Sequence, residues 1–365
     1  MTASLDLSCA RGPSSKLGAL LGCLLFAVVT AAIPIAAAQN RLVSTAEKKS
    51  NGALPAPKAP ALGVVEWLQR MNTASRDHSY VGTFVVSAAM GNLSSARIWH
   101  ACQDKVRIER IDALSGPPRS TFRRNEQVLT FLPDEHVIKS ENRDSLELFP
   151  NLMGATDSTI GDFYGVRVMG RDRVAGFEAD VVQLIPKDAL RFGYRIWSEQ
   201  RTGLVMKLQT LDASERPVEQ SAFSELQLDA PIKTESLAQM MKVPAGYKVQ
   251  KSELERTTAA AQGWTLKNPV PGFKPISCYQ RPVGSAGNER ALQWTFSDGL
   301  AAVSLFVEAY DEQRPNREGV QALGATYTLT RRWADRDGAN WWLTVMGEVP
   351  AQTLDAFAQQ LVRIR

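Results

Sequence analysis

The side chains that most often perform chemistry are sparse in this chain of 365 residues. His78, His100 and His136 are its three histidines, and none has a carboxylate or cysteine at the spacing of a metal site. His100 and Cys102 share one face of a predicted strand, but two ligands are too few to hold a metal. We therefore interpret His100 as a solvated or hydrogen-bonded structural histidine, and we predict no metal and no cofactor.

Sequence motifs of the common catalytic classes are absent. The sequence contains no G-x-S-x-G elbow, no Walker phosphate-binding loop and no G-x-G-x-x-G dinucleotide motif. The charge-rich segments RRNEQ (123–127) and RRWADRD (331–337) are interpreted as solvated strand ends. A non-enzymatic protein is predicted, and a hydrolase is the weakest alternative because no nucleophile–base pair can be identified.

The N-terminus has the three regions of a secretory signal peptide. Arg11 and Lys16 precede an apolar run at 17–33, and an A-x-A site at 36–38 predicts cleavage before Gln39. The alternative is an uncleaved membrane anchor, because an apolar run of about seventeen residues is near the lower limit for a membrane span.

Removal of the signal peptide leaves a mature chain with two cysteines and little net charge. The formal charge falls from +4 to +3, because Asp6, Arg11 and Lys16 are removed with the signal. This mild charge predicts no nucleic-acid partner. Cys102 and Cys278 remain, and whether they form a disulfide is left open. Two cysteines cannot hold a chain of this length together, so buried apolar area must stabilise it.

Changes in composition and periodicity divide the chain into five predicted segments. These are a signal peptide (1–38), a Pro/Ala-rich leader (39–61), an N-terminal domain (62–228), a linker (229–262) and a C-terminal domain (263–365). The apolar segment at 145–157, broken by Pro150 and Gly154, either plugs the concave side of the first domain or crosses its rim.

The first domain is predicted to be a helix followed by one antiparallel sheet, strongly curved or nearly closed. Val64, Val65, Leu68, Met71 and Ser75 recur at helical spacing. The period then changes to two, and eleven strands are predicted at 80–88, 96–102, 105–111, 119–124, 127–132, 136–139, 164–169, 177–185, 190–198, 204–211 and 218–226.

The segment 191–211 predicts a hairpin that turns near Gly203. One face of its first strand carries Phe192, Tyr194 and Ile196, and the other carries Arg191, Arg195 and Trp197. In the second strand, Leu204, Met206 and Leu208 share a face. The pattern predicts a sheet with one apolar side, which covers either a core or a ligand.

The second domain is predicted to combine strands with a closing helix. Strands are expected at 276–281, 291–296, 300–310, 327–334 and 341–347, with a tight turn at Ser297, Asp298 and Gly299. The helix begins at Pro350. Its predicted buried stripe is Leu354, Phe357, Leu361 and Ile364.

From about Val64 to the C-terminus, the order of elements resembles the MucB/RseB family of periplasmic regulators of the extracytoplasmic-stress (sigma-E type) sigma factor. The resemblance is carried by MNTASRDHSYVGTFVV (71–86), YRIWSEQRTGLVMKLQTLD (194–212), FSDGL (296–300) and MGEVPAQTLDAFAQQL (346–361). The sequence departs from the family pattern at Val205, where proline is expected, and in the turn at 212–216, which lacks a glycine.

The resemblance implies a mainly β (α+β) protein. Its first domain would be an unclosed antiparallel half-barrel over helices, like that of lipoprotein carriers, with an apolar cavity. A smaller C-terminal α+β domain would help to bind the periplasmic region of a membrane-spanning anti-sigma factor. Binding would shield that factor from regulated proteolysis, and a lipid, lipoprotein or lipopolysaccharide signal would release it. The alternative is a periplasmic lipid or lipoprotein carrier, but such a carrier would need only the first domain.

Two sets of residues are candidates for these sites, and a homo-oligomer is left open. The large side chains at period two that would line the lipid cavity are Phe84, Val86, Phe131, Phe192, Tyr194 and Met206, with ordinary core packing as the alternative. The candidates for partner contact are Arg331, Arg332, Trp333, Trp341 and Trp342. Because adjacent residues of a strand point in opposite directions, at least one of Trp341 and Trp342 should belong to the core.

Overall fold

The computed structural model describes residues 62–364, except for 90, 104–105, 126, 143–158, 252–253, 284–288, 313–316 and 336–337. The predicted signal peptide, the leader and the apolar segment at 145–157 lie outside the described residues. Within the described ranges, no helix is both long enough and apolar enough to cross a membrane.

An amphipathic helix opens the described chain, as the hydrophobic spacing predicts. Helix α1 (Val64–Asp77) buries one side, which carries Val64, Trp67, Leu68, Met71, Ala74 and Ser75. It ends where His78 adopts an extended conformation. The apolar stripe is what the helix contributes to the core of the first sheet.

Eleven strands and a short helix follow, and each predicted strand segment is confirmed to within five residues at either end. The strands are β1 (Tyr80–Ala88), β2 (Leu93–Gln103), β3 (Val106–Ala113), β4 (Ser120–Arg124), β5 (Gln127–Leu132), β6 (Val137–Asn142), β7 (Tyr164–Val174), β8 (Phe177–Pro186), β9 (Gly193–Glu199), β10 (Val205–Leu211) and β11 (Pro217–Leu228). Helix α2 (Ile160–Phe163) precedes β7.

Residues 229–262, predicted as a linker, contribute a helix and two short strands. Helix α3 (Thr234–Met240) is followed by β12 (Lys248–Lys251), which pairs in parallel with β6 of the first sheet. Strand β13 (Glu255–Arg256) pairs with the second sheet, and a short 3-10 helix covers Ala260–Gln262. The connecting segment is therefore bonded to both sheets.

The first sheet is open. Its order is β12-β6-β5-β4-β3-β2-β1-β11-β10-β9-β8-β7, so β12 and β7 are edges with a neighbour on one side only. All neighbours are antiparallel except β12 and β6. The predicted unclosed antiparallel sheet over a helix is confirmed.

Each face of the first sheet carries a helix. The register from β1 through β5 places Phe84 on the same face as Thr130, and Phe131 therefore on the opposite face. Ala74 of α1 packs in the cluster of Phe84, whereas Leu237 of α3 packs in the cluster of Phe131. Both faces are thus buried where helices cover them.

The hairpin of β9 and β10 is buried on both sides, although its sequence predicts one apolar face. Ile196 packs with α1, while Trp197 packs in a different cluster that includes Met206. A β-bulge just after Val205 breaks the alternation, so Val205 joins Leu208 in the cluster of Ile196. The prediction that Leu204, Met206 and Leu208 share a face is therefore wrong.

The second sheet is antiparallel, in the order β13-β15-β16-β17-β20-β19-β18. Its strands are β15 (Lys274–Val283), β16 (Glu289–Ser297), β17 (Ala302–Ala309), β18 (Gly319–Leu323), β19 (Thr326–Ala334) and β20 (Asn340–Gly347). Strand β14 (Trp264–Leu266) pairs with β21 (Leu361–Arg363). Helix α4 (Ala351–Gln360) packs Leu354 and Phe357 against Val303 and Leu343 of the sheet, which confirms a smaller α+β unit.

The closing helix is one turn shorter than predicted. It begins after Pro350, as expected, and ends at Gln360. Leu361 is buried, but it belongs to β21, and Ile364 is 51% exposed. The prediction that Ile364 belongs to the buried side of the helix is therefore wrong, because the chain after Gln360 is extended and pairs with β14.

Candidate functional site at the junction of the two sheets

A buried arginine links the first sheet to the second. Arg191 lies in the loop between β8 and β9, and its side chain has no solvent exposure. Its Nε donates to Oδ2 of Asp298 at 2.8 Å, and Asp298 is also fully buried. Nη1 donates to Asp188, and Nη2 donates to the Pro271 carbonyl oxygen at 2.7 Å. The buried cation is compensated by charge and by hydrogen bonds, which a stable buried ion pair requires.

Two aromatic rings and a glycine complete the surroundings of this guanidinium. Its central carbon lies 4.2 Å from the ring centre of Phe163 and 4.8 Å from that of Phe273. Gly272 has a φ of +80°, and a Cβ there would overlap both Arg191 Nη2 and the Phe163 ring. Only glycine at this position allows the backbone to approach the arginine so closely.

The turn after β16 holds Asp298 in a single orientation. Its Oδ1 accepts the N–H groups of Leu300 at 2.9 Å and Ala301 at 2.8 Å. Ser297 Oγ donates to the Ala301 carbonyl oxygen at 2.9 Å and accepts the N–H of Gly299 at 2.9 Å. Oδ1 therefore accepts hydrogen bonds within the turn, and Oδ2 accepts the hydrogen bond from Arg191.

Across this junction, each half of the molecule packs one leucine against the core of the other half. Leu300, from the second half, is 3% exposed and packs in the cluster of Trp67, Tyr164 and Ile196 in the first half. Leu190, from the first half, packs against the core of the second. The Leu190 carbonyl oxygen accepts a hydrogen bond from Thr353 Oγ1 of α4 at 2.7 Å. Each half therefore contributes a leucine to the core of the other half, beside the Arg191–Asp298 pair.

A second contact between the two halves involves the carboxylates of Glu219 and Glu348. Glu219 of β11 accepts the N–H of Ala325, in the turn between β18 and β19, at 3.1 Å. Burial raises the pKa of Glu348, and the negative charge of Glu219 raises it further. The junction thus holds two carboxylates, and the ionised form of Glu348 is disfavoured there.

Glu348→Gln is expected to raise the melting temperature at neutral pH. The pKa of Glu348 is higher in the folded state than its ordinary value, so ionisation of this group destabilises the fold progressively as the pH rises above that value. Below the ordinary pKa of a glutamate, about 4.3, both states are protonated and the two proteins should melt alike. Thermal unfolding of both proteins across this range tests the prediction. An advantage of the variant that is equally large in acid and at neutral pH would contradict it.

Four of the six predicted cavity residues pack in the two clusters to which α1 contributes. Phe84 and Met206 are buried in one cluster, and Val86 packs against it. Tyr194 is buried in the neighbouring cluster with α1, and burial raises the pKa of its hydroxyl well above the usual value. These four remain candidates for lining an acyl site.

The other two lie elsewhere. Phe131 is on the opposite face of the sheet, in the cluster that α3 covers, because the register reverses its direction relative to Phe84. Phe192 lies at the junction, with its ring centre 6.1 Å from that of Tyr327 in the second half. The six side chains therefore do not line one cavity, and period-two spacing within each strand could not show this.

The three tryptophans predicted to contact a partner pack within the second half of the molecule. Trp333 and Trp341 are paired across β19 and β20, and their ring centres lie 5.1 and 5.2 Å from that of Trp264. Trp342 points to the opposite face, is 5% exposed and lies 6.1 Å from the ring of Tyr310. The expectation that at least one adjacent tryptophan belongs to the core is confirmed.

Each of the two arginines predicted to contact a partner keeps a feature that suits such a contact. Arg332 is exposed, lies over the Tyr310 ring and donates to Asn340 Oδ1 at 3.0 Å. Arg331 Nε is buried and has no hydrogen-bond partner among the described residues. Arg331 and Arg332 therefore remain candidates for contact with a partner.

His100 is a structural histidine, as predicted. Its Nδ1 lies 2.8 Å from Glu109 Oε1, and its ring stacks on Tyr80. Cys102 and Cys278 are both free thiols. Burial raises the pKa of Cys278 to about 11, so its thiol is protonated at neutral pH.

The patterns in 191–211 and 296–300 do not predict the junction, although these segments contain its two charged residues. Period two places Arg191 on a face with Arg195 and Trp197, and the turn pattern predicts Asp298 only as a turn residue. FSDGL was the signal available, because an apolar residue directly after a tight Asp-Gly turn would normally be exposed. Its function as a docking hairpin depends on Arg191, 107 positions earlier in the chain.

The fold and this junction define a two-domain, mainly β protein whose domains share a buried interface. The chain belongs to the MucB/RseB family. The family's N-terminal domain matches residues 63–241, and its C-terminal domain matches residues 258–362.

Relatives of known identity resemble the chain over nearly their whole length. The sigma factor AlgU regulatory protein MucB of Pseudomonas aeruginosa is 28% identical, over 83% of this chain and 92% of that protein. The sigma-E factor regulatory protein RseB of Escherichia coli K12 is 24% identical, over 84% and 92% respectively. A crystal structure of MucB in complex with MucA(peri) superposes with a TM-score of 0.63 at 26% identity, covering 82% of this chain and 98% of that one.

Proposed function

We propose that this protein is a periplasmic regulator that binds the periplasmic region of a transmembrane anti-sigma factor and shields it from regulated proteolysis. A lipid or envelope-stress signal releases the partner. The observation that best supports the proposal is the match of both domains, in order, to regulators such as MucB, which has been solved in complex with MucA(peri). The secretory signal predicted at 1–38 supports the periplasmic location.

The packing at the junction provides a mechanism by which a lipid lowers the affinity of the protein for its partner. Leu300 occupies space beside Trp67 of α1 and Tyr194, on the face where Phe84 and Val86 also lie. An acyl chain that enters this face competes with Leu300 and so favours withdrawal of the second domain. A ligand that prefers the withdrawn arrangement must lower the affinity for any partner that prefers the docked one.

Cleavage of the partner tests this function. The mature protein (39–365) is mixed with the periplasmic region of the anti-sigma factor and the protease that makes the first cut, and lipid A or a long-chain fatty acid is then added. We expect protection that either lipid relieves. Equal cleavage with and without the protein would overturn the proposal. Lipid binding without protection would favour the alternative, a lipid or lipoprotein carrier.

A further inference from the structure

Three of the four edge strands of the two large sheets carry features that disfavour pairing with another strand. Strand β12 reads KVQK, with a lysine at each end, and β13 consists only of Glu255 and Arg256. Strand β7 carries three arginines and a bulge before Gly170. Short edges, charged side chains and bulges are the usual protection of a sheet edge against added strands.

The fourth edge, β18, has none of these features. Its sequence is GVQAL, all five residues are exposed, and Val320 and Leu323 are 48% and 66% exposed. No charged residue or proline occurs from Gly319 to Thr330, the whole hairpin of β18 and most of β19. An apolar, uncharged and unprotected edge is a template for another strand.

The register shows which backbone groups β18 presents at its free side. Leu323 and Thr326 pair across a two-residue turn, so Leu323, Gln321 and Gly319 exchange hydrogen bonds with β19. Val320 and Ala322 lie between them, and their N–H and C=O groups point away from β19. These two residues can therefore bond an incoming strand without loss of the existing ladder.

We propose that the free edge of β18 binds an extended segment of the anti-sigma factor's periplasmic region as an additional strand. The segment is apolar and uncharged opposite Val320 and Ala322, and it carries a carboxylate near Arg331. Arg331 follows Thr330, the partner of Gly319, and its buried Nε lacks a hydrogen-bond acceptor among the described residues. Arg317 and Glu318, both exposed, precede Gly319 at the same end of the strand, so two arginines lie there with one carboxylate. This inference rests on the proposed function, and it names the surface that holds the partner.

A second copy of this chain fits the edge less well. Antiparallel pairing of two β18 strands would bring the turn of one copy, Leu323–Thr326, beside Arg331 of the other. That turn carries no charged side chain, so Arg331 would gain no acceptor from it. The charge at the end of the strand therefore favours an acidic, extended partner segment.

Two substitutions at one position test the edge. Val320→Lys adds the charge that protects the other edges, whereas Val320→Thr keeps a β-branched, uncharged side chain. By calorimetry with the anti-sigma factor's periplasmic region, we expect Val320→Lys to weaken binding about tenfold or more, and Val320→Thr about twofold or less. Hydrogen exchange of the Val320 and Ala322 amides in the wild-type protein should slow on binding.

The outcomes separate this inference from the proposed function. If the wild-type protein binds the segment and Val320→Lys, folded by its melting curve, binds equally well, the edge is not the site but the proposed function stands. If the wild-type protein does not bind at all, both fail. A wild-type dimer that Val320→Lys dissociates, with unchanged affinity for the segment, would assign the edge to a second copy and overturn the inference.

Discussion

Arg191→Met is expected to lower the free energy of unfolding by about 3–5 kcal/mol, because it leaves the Asp298 carboxylate buried without its counter-charge. Both side chains have no solvent exposure, and the pair joins the two domains at 2.8 Å. Methionine keeps much of the apolar contact with the rings of Phe163 and Phe273. The loss of stability should therefore come mainly from removal of the positive charge. Urea denaturation followed by tryptophan fluorescence measures it.

The matched control is Arg201→Met, which removes an exposed ion pair. Arg201 is 65% exposed and lies 3.2 Å from Asp229, so we expect little change. Asp298→Asn keeps an oxygen that can accept from the turn and removes the charge. The double variant with Arg191→Met should therefore lose less stability than the two single variants together. Equal losses for Arg191→Met and Arg201→Met would show that the buried pair is unimportant to stability.

Leu300→Ala is expected to cost about 2–5 kcal/mol and to loosen the domain to which Leu300 does not belong. The leucine is 3% exposed among side chains of α1, β7 and β9. Its truncation leaves a cavity beside Trp67, so amide exchange in α1 should accelerate. Hydrogen exchange followed by mass spectrometry measures this effect separately from global stability.

Leu323→Ala is the control for the second prediction. Leu323 lies in the same domain but is 66% exposed, so its truncation should change stability by about 0.5 kcal/mol or less. If Leu300→Ala left exchange in α1 as it is in Leu323→Ala, the leucine would not be part of the first domain's core in solution.

Most strands and two of the helices could be predicted from the sequence because their signals are local. The alternation in 80–88 and the helical spacing of Val64, Leu68 and Met71 each require burial of one face, whatever the partner is. The short strands β12, β13, β14, β18 and β21 are not predicted, because two to five residues give too little alternation to recognise.

The candidate sites were harder to predict because they depend on residues that are distant in sequence. Size and spacing within separate strands select the six cavity candidates, but the register of five strands, β1 to β5, decides that Phe131 faces away from Phe84. Likewise, Trp333 and Trp341 are residue types typical of interface anchors, but both rings pack against Trp264.

Hydrophobic periodicity is a property of neighbouring residues, so the sequence is sufficient to predict the two-domain, mainly β architecture, and the order of its segments identifies the family. The surfaces through which the domains meet follow from contacts between residues that are distant in the sequence. Arg191 and Asp298 look like surface residues of a hairpin and a turn, and only folding brings their opposite charges together away from water. A buried ion pair depends on desolvation and partner geometry, and neither is encoded in the spacing of residues along the chain.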